Sequence, residues 1–244
     1  MVRTCLLAGL LLALALPLTA QNTNAKKKLT LEAIWGGNYL EEQQLRVHLT
    51  HTGDSIAYIF ATKGSNSEII STLDFETGRL ADTIFSNQVK TANDSLPITF
   101  TFFEDFAFSP DDAQLLIKTQ LEPMQYNASK EFNFIWNRAA KTLKPVSADG
   151  KQSYVSFSPD SRRLAFVREG NLYVRDLLTD QVLPITVDGA PGHYLYGMAD
   201  ALYEKGFGMS QAYQWSPDGE SIAFLRFNEN MVQQYPITFY NGRT

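Results

Sequence analysis

Apolar residues along this chain recur with a period of two, in short runs separated by turns that carry proline. Val155 and Phe157 alternate with Ser156 before one such turn, and Leu164 and Phe166 flank Ala165 after it. Successive side chains of a strand point to opposite faces, so this period predicts strands buried on one or both faces. The turn between them, Phe157-Ser158-Pro159-Asp160, belongs to a set. Phe108-Ser109-Pro110-Asp111 precedes Leu115-Leu116-Ile117, and Trp215-Ser216-Pro217-Asp218-Gly219 precedes Ile222-Ala223-Phe224. In each case the apolar triplet begins six residues after the serine. A degenerate copy comes first, with Thr50 in the serine slot and Ile56-Ala57-Tyr58 as the triplet, and the copies start 59, 49 and 58 residues apart.

Proline holds φ near about −65° at the second position of a β-turn, and Asp and Gly supply the turn chemistry that follows, so a strand must end at each motif. A third apolar segment comes later in each unit: Ile69 to Asp74, Phe132 to Asn137 and Leu172 to Asp176, each ending on Asp or Asn. Gln181-Val182-Leu183-Pro184-Ile185 reads as a fourth strand. Four antiparallel strands per unit of roughly 50 residues predict an all-β fold, a β-propeller of four-stranded blades that bury their faces against one another. Helical repeats would need a 3.6-residue apolar period, and the prolines would break them. The aromatic slot of Phe108, Phe157 and Trp215 is expected to pack between blades. About four blades are expected, the last unfinished, because Tyr235 to Tyr240 is followed only by Asn241-Gly242-Arg243-Thr244. An unpaired strand edge there predicts a longer natural product.

Composition sharpens this picture at its ends. Hydrophobic residues make up 44% of the 244 residues and charged ones 19%, which suits a globular chain. A net charge of −5 opposes binding to nucleic acid, and Lys26-Lys27-Lys28 is too short a run to reverse it. Arg3, the apolar run Leu6 to Leu16 and the small-residue spacing of Leu18-Thr19-Ala20 predict a signal peptide over 1–20. An uncleaved anchor is the alternative. A polar linker is expected over 21–28 and the propeller region over 29–244, in an exported, periplasmic or secreted, protein. Cys5 is the only cysteine, so no disulfide stabilises the mature chain. The triplets Asn93-Asp94-Ser95 and Asn127-Ala128-Ser129 fit a glycosylation pattern too common to carry weight.

The segment Tyr196-Gly197-Met198-Ala199-Asp200-Ala201-Leu202-Tyr203-Glu204, followed by Phe207-Gly208 and Ala212-Tyr213-Gln214-Trp215-Ser216-Pro217-Asp218, resembles the glutamate-motif region of dipeptidyl peptidase IV-like serine peptidases of the prolyl oligopeptidase family. Ile222 to Glu229 and Leu29 to Trp35 are similar to the same family, so the resemblance spans roughly 29–240. It implies a propeller that caps an α/β-hydrolase domain with a Ser-Asp-His triad and releases dipeptides from peptide N-termini. It also implies that two adjacent propeller glutamates hold the substrate ammonium, that an arginine from another loop positions the peptide, and that the full-length protein can dimerise.

The chain departs from that pattern at the residues that matter. The family's run of Tyr and three glutamates falls on Tyr203-Glu204-Lys205-Gly206, so Lys205 and Gly206 stand where the two functional glutamates are expected. Tyr126 falls at the arginine position. Glu204 is the candidate substrate-binding residue, a lone ammonium anchor if the loop shifts by one; otherwise it reads as a solvated loop acid. No catalytic residue is expected within the chain: no Gly-x-Ser-x-Gly elbow is present, and Gly208-Met209-Ser210-Gln211-Ala212 lacks the final glycine. His48 and His51 are expected on opposite faces with no third ligand, so no metal site is assigned, and no cofactor is expected. Two readings follow. The chain is the propeller portion of an exported dipeptidyl exopeptidase whose hydrolase domain lies elsewhere, acting on peptide substrates, or it is a non-catalytic docking propeller that has lost the amine anchor.

Overall fold

The computed structural model describes residues 47–51, 55–61, 68–74, 77, 79–88, 102–124 and 128–233. The expected signal peptide 1–20, linker 21–28, Leu29 to Trp35, Asn93, Tyr126, Asn127 and the final segment Tyr235 to Thr244 lie outside the described residues.

The repeat units become antiparallel sheets in which each strand pairs with its sequence neighbours. The first sheet comprises β1 (Val47–Leu49), β2 (Ser55–Ala61), β3 (Glu68–Asp74) and β4 (Leu80–Ser86). In the second are β5 (Asp105–Phe108), β6 (Gln114–Pro123), β7 (Ser129–Asn137) and β8 (Thr142–Pro145). The third holds β9 (Ser153–Phe157), β10 (Arg163–Arg168), β11 (Asn171–Asp176) and β12 (Val182–Pro184). In the fourth unit β13 (Tyr194–Tyr196) pairs with β16 (Arg226–Asn228), and β14 (Tyr213–Trp215) with β15 (Ile222–Phe224). One helix, α1 (Ala201–Phe207), separates β13 from β14. The described residues thus form three four-stranded propeller blades and two ribbons of a fourth, and no sheet closes on itself.

Period-two alternation explains why the blades stack. On β6, Leu115 and Ile117 join a core with Ala57, Ile70 and Phe85 of the first blade, while Leu116 turns to the other side and packs with Leu164 and Phe166 of the third. The pattern repeats on β10, where Leu164 and Phe166 face the second blade and Ala165 and Val167 face Leu195, Tyr196 and Tyr213 of the fourth unit. Both faces of an interior blade are therefore core. Each fully buried Leu, Ile or Phe contributes about 1.5–3 kcal/mol relative to an exposed one, and with a single cysteine in the chain this burial must supply the stability. Polar links cross the same interfaces: the Trp136 indole N–H donates to the Ile84 carbonyl at 3.1 Å, and the Phe103 N–H donates to the Glu68 carboxylate at 2.6 Å.

The Ser-Pro-Asp turns share one hydrogen-bond pattern. In each, the serine Oγ donates to the aspartate Oδ1, at 2.6 Å for Ser109 and 2.5 Å for Ser158 and Ser216. The same Oγ accepts from the backbone N–H five residues on, at 2.9 Å in all three copies. The residue after the aspartate is left-handed every time: Asp112 at φ 56°, Ser161 at 58° and Gly219 at 73°. Turns of adjacent blades also touch. The His51 N–H donates to Asp112 Oδ1 at 3.1 Å, the Asp111 N–H to Ser161 Oγ at 3.2 Å, and Arg163 to the Gly219 carbonyl at 2.8 Å.

Three local features go beyond the repeat pattern. Beyond Thr119 the β6–β7 ladder continues past a bulge, with Glu122 opposite Lys130 and Pro123 opposite Ser129. Thr186 to Ser210 contains β13 and α1. The run Ile222 to Phe227 is split at Leu225, because its two halves pair with different partners.

Candidate functional site

A broad cavity of about 1790 Å³ is lined by residues of the second and third blades and the fourth unit, among them Met124, Lys151, Arg168, Ala201 and Glu204. Helix α1 supplies the last two. Asp200 caps its start, the carboxylate accepting from the Tyr203 N–H at 2.9 Å. Gly208 ends it in the left-handed conformation at φ 65°, its N–H donating to the Glu204 carbonyl at 3.0 Å. Ala, Leu, Glu and Lys are good helix formers, which offsets Gly206 inside a two-turn element.

The helix is amphipathic in an inverted sense. Leu202, Tyr203, Lys205 and Phe207 are exposed, whereas Glu204 is 5% exposed. Ala201 and Glu204, three residues apart, share the face that lines the cavity. Lys205 and Gly206 do not line it, and a Cβ placed on Gly206 would meet nothing within 4 Å. The reading of Glu204 as a solvated loop acid is therefore corrected in its location, since the residue is buried on a helix. Its Oε1 accepts a long hydrogen bond of 3.4 Å from Ser210 Oγ, and Ser210 lies in the connection between α1 and β14.

Sequence reasoning missed Tyr154, whose phenol feels the charge of this carboxylate. Tyr154 lies in β9 where the pairing with β10 shifts register between Ala165 and Val167, and its φ of 55° is left-handed. The Tyr213 hydroxyl donates to the Tyr154 carbonyl and lies 2.8 Å from Ser156 Oγ. Burial, then the charges of Glu204 and Glu131, push the Tyr154 phenol up to about 12, although a hydrogen bond with Ser210 works the other way. Glu131 is itself 4% exposed, and burial raises its carboxyl above the ordinary range against the pull of Lys118.

A smaller cavity of about 520 Å³ lies beside Glu131 and is lined by His48, Glu104, Asp105 and Lys118. His48 Nε2 is 2.9 Å from Asp105 Oδ1, and His51 Nδ1 is 2.9 Å from Asp112 Oδ1. Both histidines thus tie the first blade to aspartates of the second. Burial opposes it, yet the hydrogen bond from His48 and the Lys118 charge hold the Asp105 carboxyl below its ordinary value. Among the described residues no cluster of three or more His, Cys, Asp or Glu is arranged to hold a metal. Tyr126, expected at the arginine position, is outside the described residues.

Comparison with known proteins bears on this geometry. Residues 109–244, more than half of the chain, match the model of the dipeptidyl peptidase IV (DPP IV) N-terminal region. A probable dipeptidyl-aminopeptidase B of Sclerotinia sclerotiorum is 29% identical over 239 residues, covering 89% of this chain and 24% of that protein. A probable dipeptidyl-aminopeptidase B of Emericella nidulans is 36% identical over 139 residues, covering 55% of this chain and 15% of that protein. The crystal structure of Porphyromonas gingivalis dipeptidyl peptidase 4 superposes with a TM-score of 0.76 at 24% identity, covering 89% of this chain and 30% of that one, and shares its fold. The chain spans about a quarter or less of the curated relatives it matches.

Proposed function

Because the chain belongs to the dipeptidyl peptidase IV N-terminal-region family, we propose that it is the N-terminal propeller portion of an exported dipeptidyl aminopeptidase, which admits peptides and positions their free N-terminus. The catalytic serine, aspartate and histidine are supplied by an α/β-hydrolase domain outside these residues. The observation that carries this reading is the direction of α1, which turns Glu204 toward the large cavity and leaves Lys205 and Gly206 off its wall.

A buried carboxylate at a cavity wall suits a peptide ammonium. The ammonium donates three hydrogen bonds, and a charge-assisted contact shielded from water is stronger than the same contact at an open surface. An acetylated N-terminus offers no charge and gains none of this. Glu204 then does with one carboxylate what the family pattern assigns to two, so anchoring is expected to be weaker than in relatives that carry both. A full-length dimer belongs to the same proposal.

The experiment is steady-state hydrolysis of a chromogenic Xaa-Pro substrate by the complete gene product. Glu204→Gln is expected to raise KM at least tenfold with a smaller change in kcat, and an N-acetylated substrate should not be cleaved. Unchanged KM in Glu204→Gln would remove the anchor from the proposal. The single acid also supports a second reading, a docking propeller without chemistry, and a gene product lacking a Gly-x-Ser-x-Gly elbow followed by Asp and His would favour it.

A further inference from the structure

Strand β7 separates the two cavities. Glu131 lines the smaller one, whereas Lys130 and Phe132 on either side of it share the opposite face and line the larger. Lys151, in the connection between β8 and β9, joins them on that wall. Its backbone is held from both sides. The next residue, Gln152, exchanges two backbone hydrogen bonds with Glu131, at 2.8 and 2.9 Å, and Arg168 donates to Ser147 Oγ at 2.6 Å and to the Asp149 carbonyl at 3.0 Å earlier in the same connection.

Three charges meet at this place. Glu122 Oε1 lies 2.8 Å from Lys130 Nζ and Oε2 lies 3.1 Å from Lys151 Nζ, so two cations share one acid. Lys151 is the most enclosed of the three, its side chain 20% exposed against 41% for Lys130 and 49% for Glu122, and its Nζ is 5.6 Å from the centre of the Phe132 ring. An ammonium has three donors, and among the described residues Glu122 is the one hydrogen-bond acceptor that Lys151 reaches. Other acids of the wall are engaged locally: Arg168 holds Asp149 at 3.3 Å, Asp200 caps α1, and Glu229 accepts the Gly192 N–H at 2.9 Å, while Glu169 is exposed to water.

We propose that the Lys130, Glu122 and Lys151 cluster receives a carboxylate of the bound peptide, with Lys151 as the specificity-determining residue. The inference rests on the reading of the large cavity as a peptide site, and it holds whether or not Glu204 takes the amine. One carboxylate fits on two counts: it accepts the N–H donors that Glu122 leaves, and it balances the excess positive charge of two lysines against one acid. The carboxylate is the C-terminus of a short peptide or an acidic side chain beyond its second residue. Because the backbone on both sides of Lys151 is already pinned, little ordering is needed when the ligand arrives. The same cluster repels an ammonium, so it also disfavours a peptide lying in the reverse direction.

The test is initial-rate release of Ala-Pro by the complete gene product from three peptides: Ala-Pro-Ala, its C-terminal amide, and the amide of Ala-Pro-Glu. A carboxylate-bearing peptide is expected to show a KM about 3- to 10-fold below that of the Ala-Pro-Ala amide. A low KM for Ala-Pro-Ala alone assigns the cluster to the peptide C-terminus, and a low KM for the Ala-Pro-Glu amide alone assigns it to an acidic side chain. Equal KM values for all three peptides overturn the inference. Lys151→Met, which keeps the stem beside Phe132, should raise KM for the carboxylate-bearing peptide and leave the Ala-Pro-Ala amide unchanged. Glu122→Gln, which removes the competing acid, should lower the same KM by about 2- to 5-fold. Opposite shifts confined to the charged peptide are not produced by a packing role, so variants that move charged and amidated peptides alike also overturn the inference. Should Lys151→Met not fold, Glu122→Gln decides, since that side chain is half-exposed. If none of the peptides is hydrolysed, the reading of the cavity as a peptide site fails, and this inference with it.

Discussion

Gly219 in the turn of the fourth unit lies against Asp160 in the turn of the third: a Cβ built on Gly219 would fall 2.8 Å from the Asp160 carboxyl carbon. Its φ of 73° is also left-handed, so space and backbone both require glycine. The same slot holds Asp112 in the second blade and Ser161 in the third, where the side chain has a partner in the adjacent turn instead of a clash. Gly219→Ala is therefore expected to destabilise the fold by about 1–3 kcal/mol, seen as a lower midpoint in thermal unfolding. An unchanged midpoint would mean that the turns do not bear on one another.

Ser158 is the hub of the third blade's turn. It is fully buried, and its Oγ donates to Asp160 and accepts from the Arg163 N–H. Ser158→Ala leaves a partly buried N–H without its acceptor, at an expected cost of about 1–3 kcal/mol. The equivalent Ser216 is in an exposed turn where water can replace the lost bonds. Denaturant titration should accordingly show a clearly larger loss for Ser158→Ala than for Ser216→Ala. Equal losses would contradict the burial argument.

The two acids Asp105 and Glu131, both beside the smaller cavity, respond to pH with opposite signs. Asp105 is held below the ordinary value of 3.8, so its contribution is present above that pH and is lost as pH falls through the lower folded value. Glu131 is raised above 4.5, so the folded state holds its proton longer than the unfolded chain does, and ionising it weakens the fold as pH rises above 4.5. Asp105→Asn is expected to lower the unfolding midpoint at pH 7 and to approach the wild-type midpoint in acid. Glu131→Gln should raise the midpoint at pH 7 relative to its effect at pH 4. A Glu131→Gln effect independent of pH would show that the carboxyl is not held against ionisation.

The blades were legible in the sequence because their information is local. Ser-Pro-Asp fixes a turn within four residues, and the apolar triplet six residues later marks a strand, whose period of two sends Leu115 and Leu116 to opposite faces. Helix α1 was not legible, because seven residues with an internal glycine give no helical period; its signal was the pair of caps, Asp200 and Gly208, which frame it. Tyr154 was hidden for another reason. It is 50 residues from Glu204 in sequence and lies at a strand bulge, where the period-two rule fails to give the direction of a side chain.

Aligned by sequence, Lys205 and Gly206 look like the loss of two glutamates, yet α1 points both positions away from the large cavity. Restoring the family pattern should therefore do little for binding. The double variant Lys205→Glu, Gly206→Glu is expected to change KM for a free-amine Xaa-Pro substrate less than twofold. Replacing Gly206 within the helix should meanwhile stabilise it by up to about 1 kcal/mol, since open space surrounds the position and its backbone is helical. The measurement is hydrolysis by the complete gene product, paired with thermal unfolding. A fall in KM of tenfold or more would mean that positions 205 and 206, and not 204, face the substrate amine, and that α1 rotates by about 100° per residue of shift to present them.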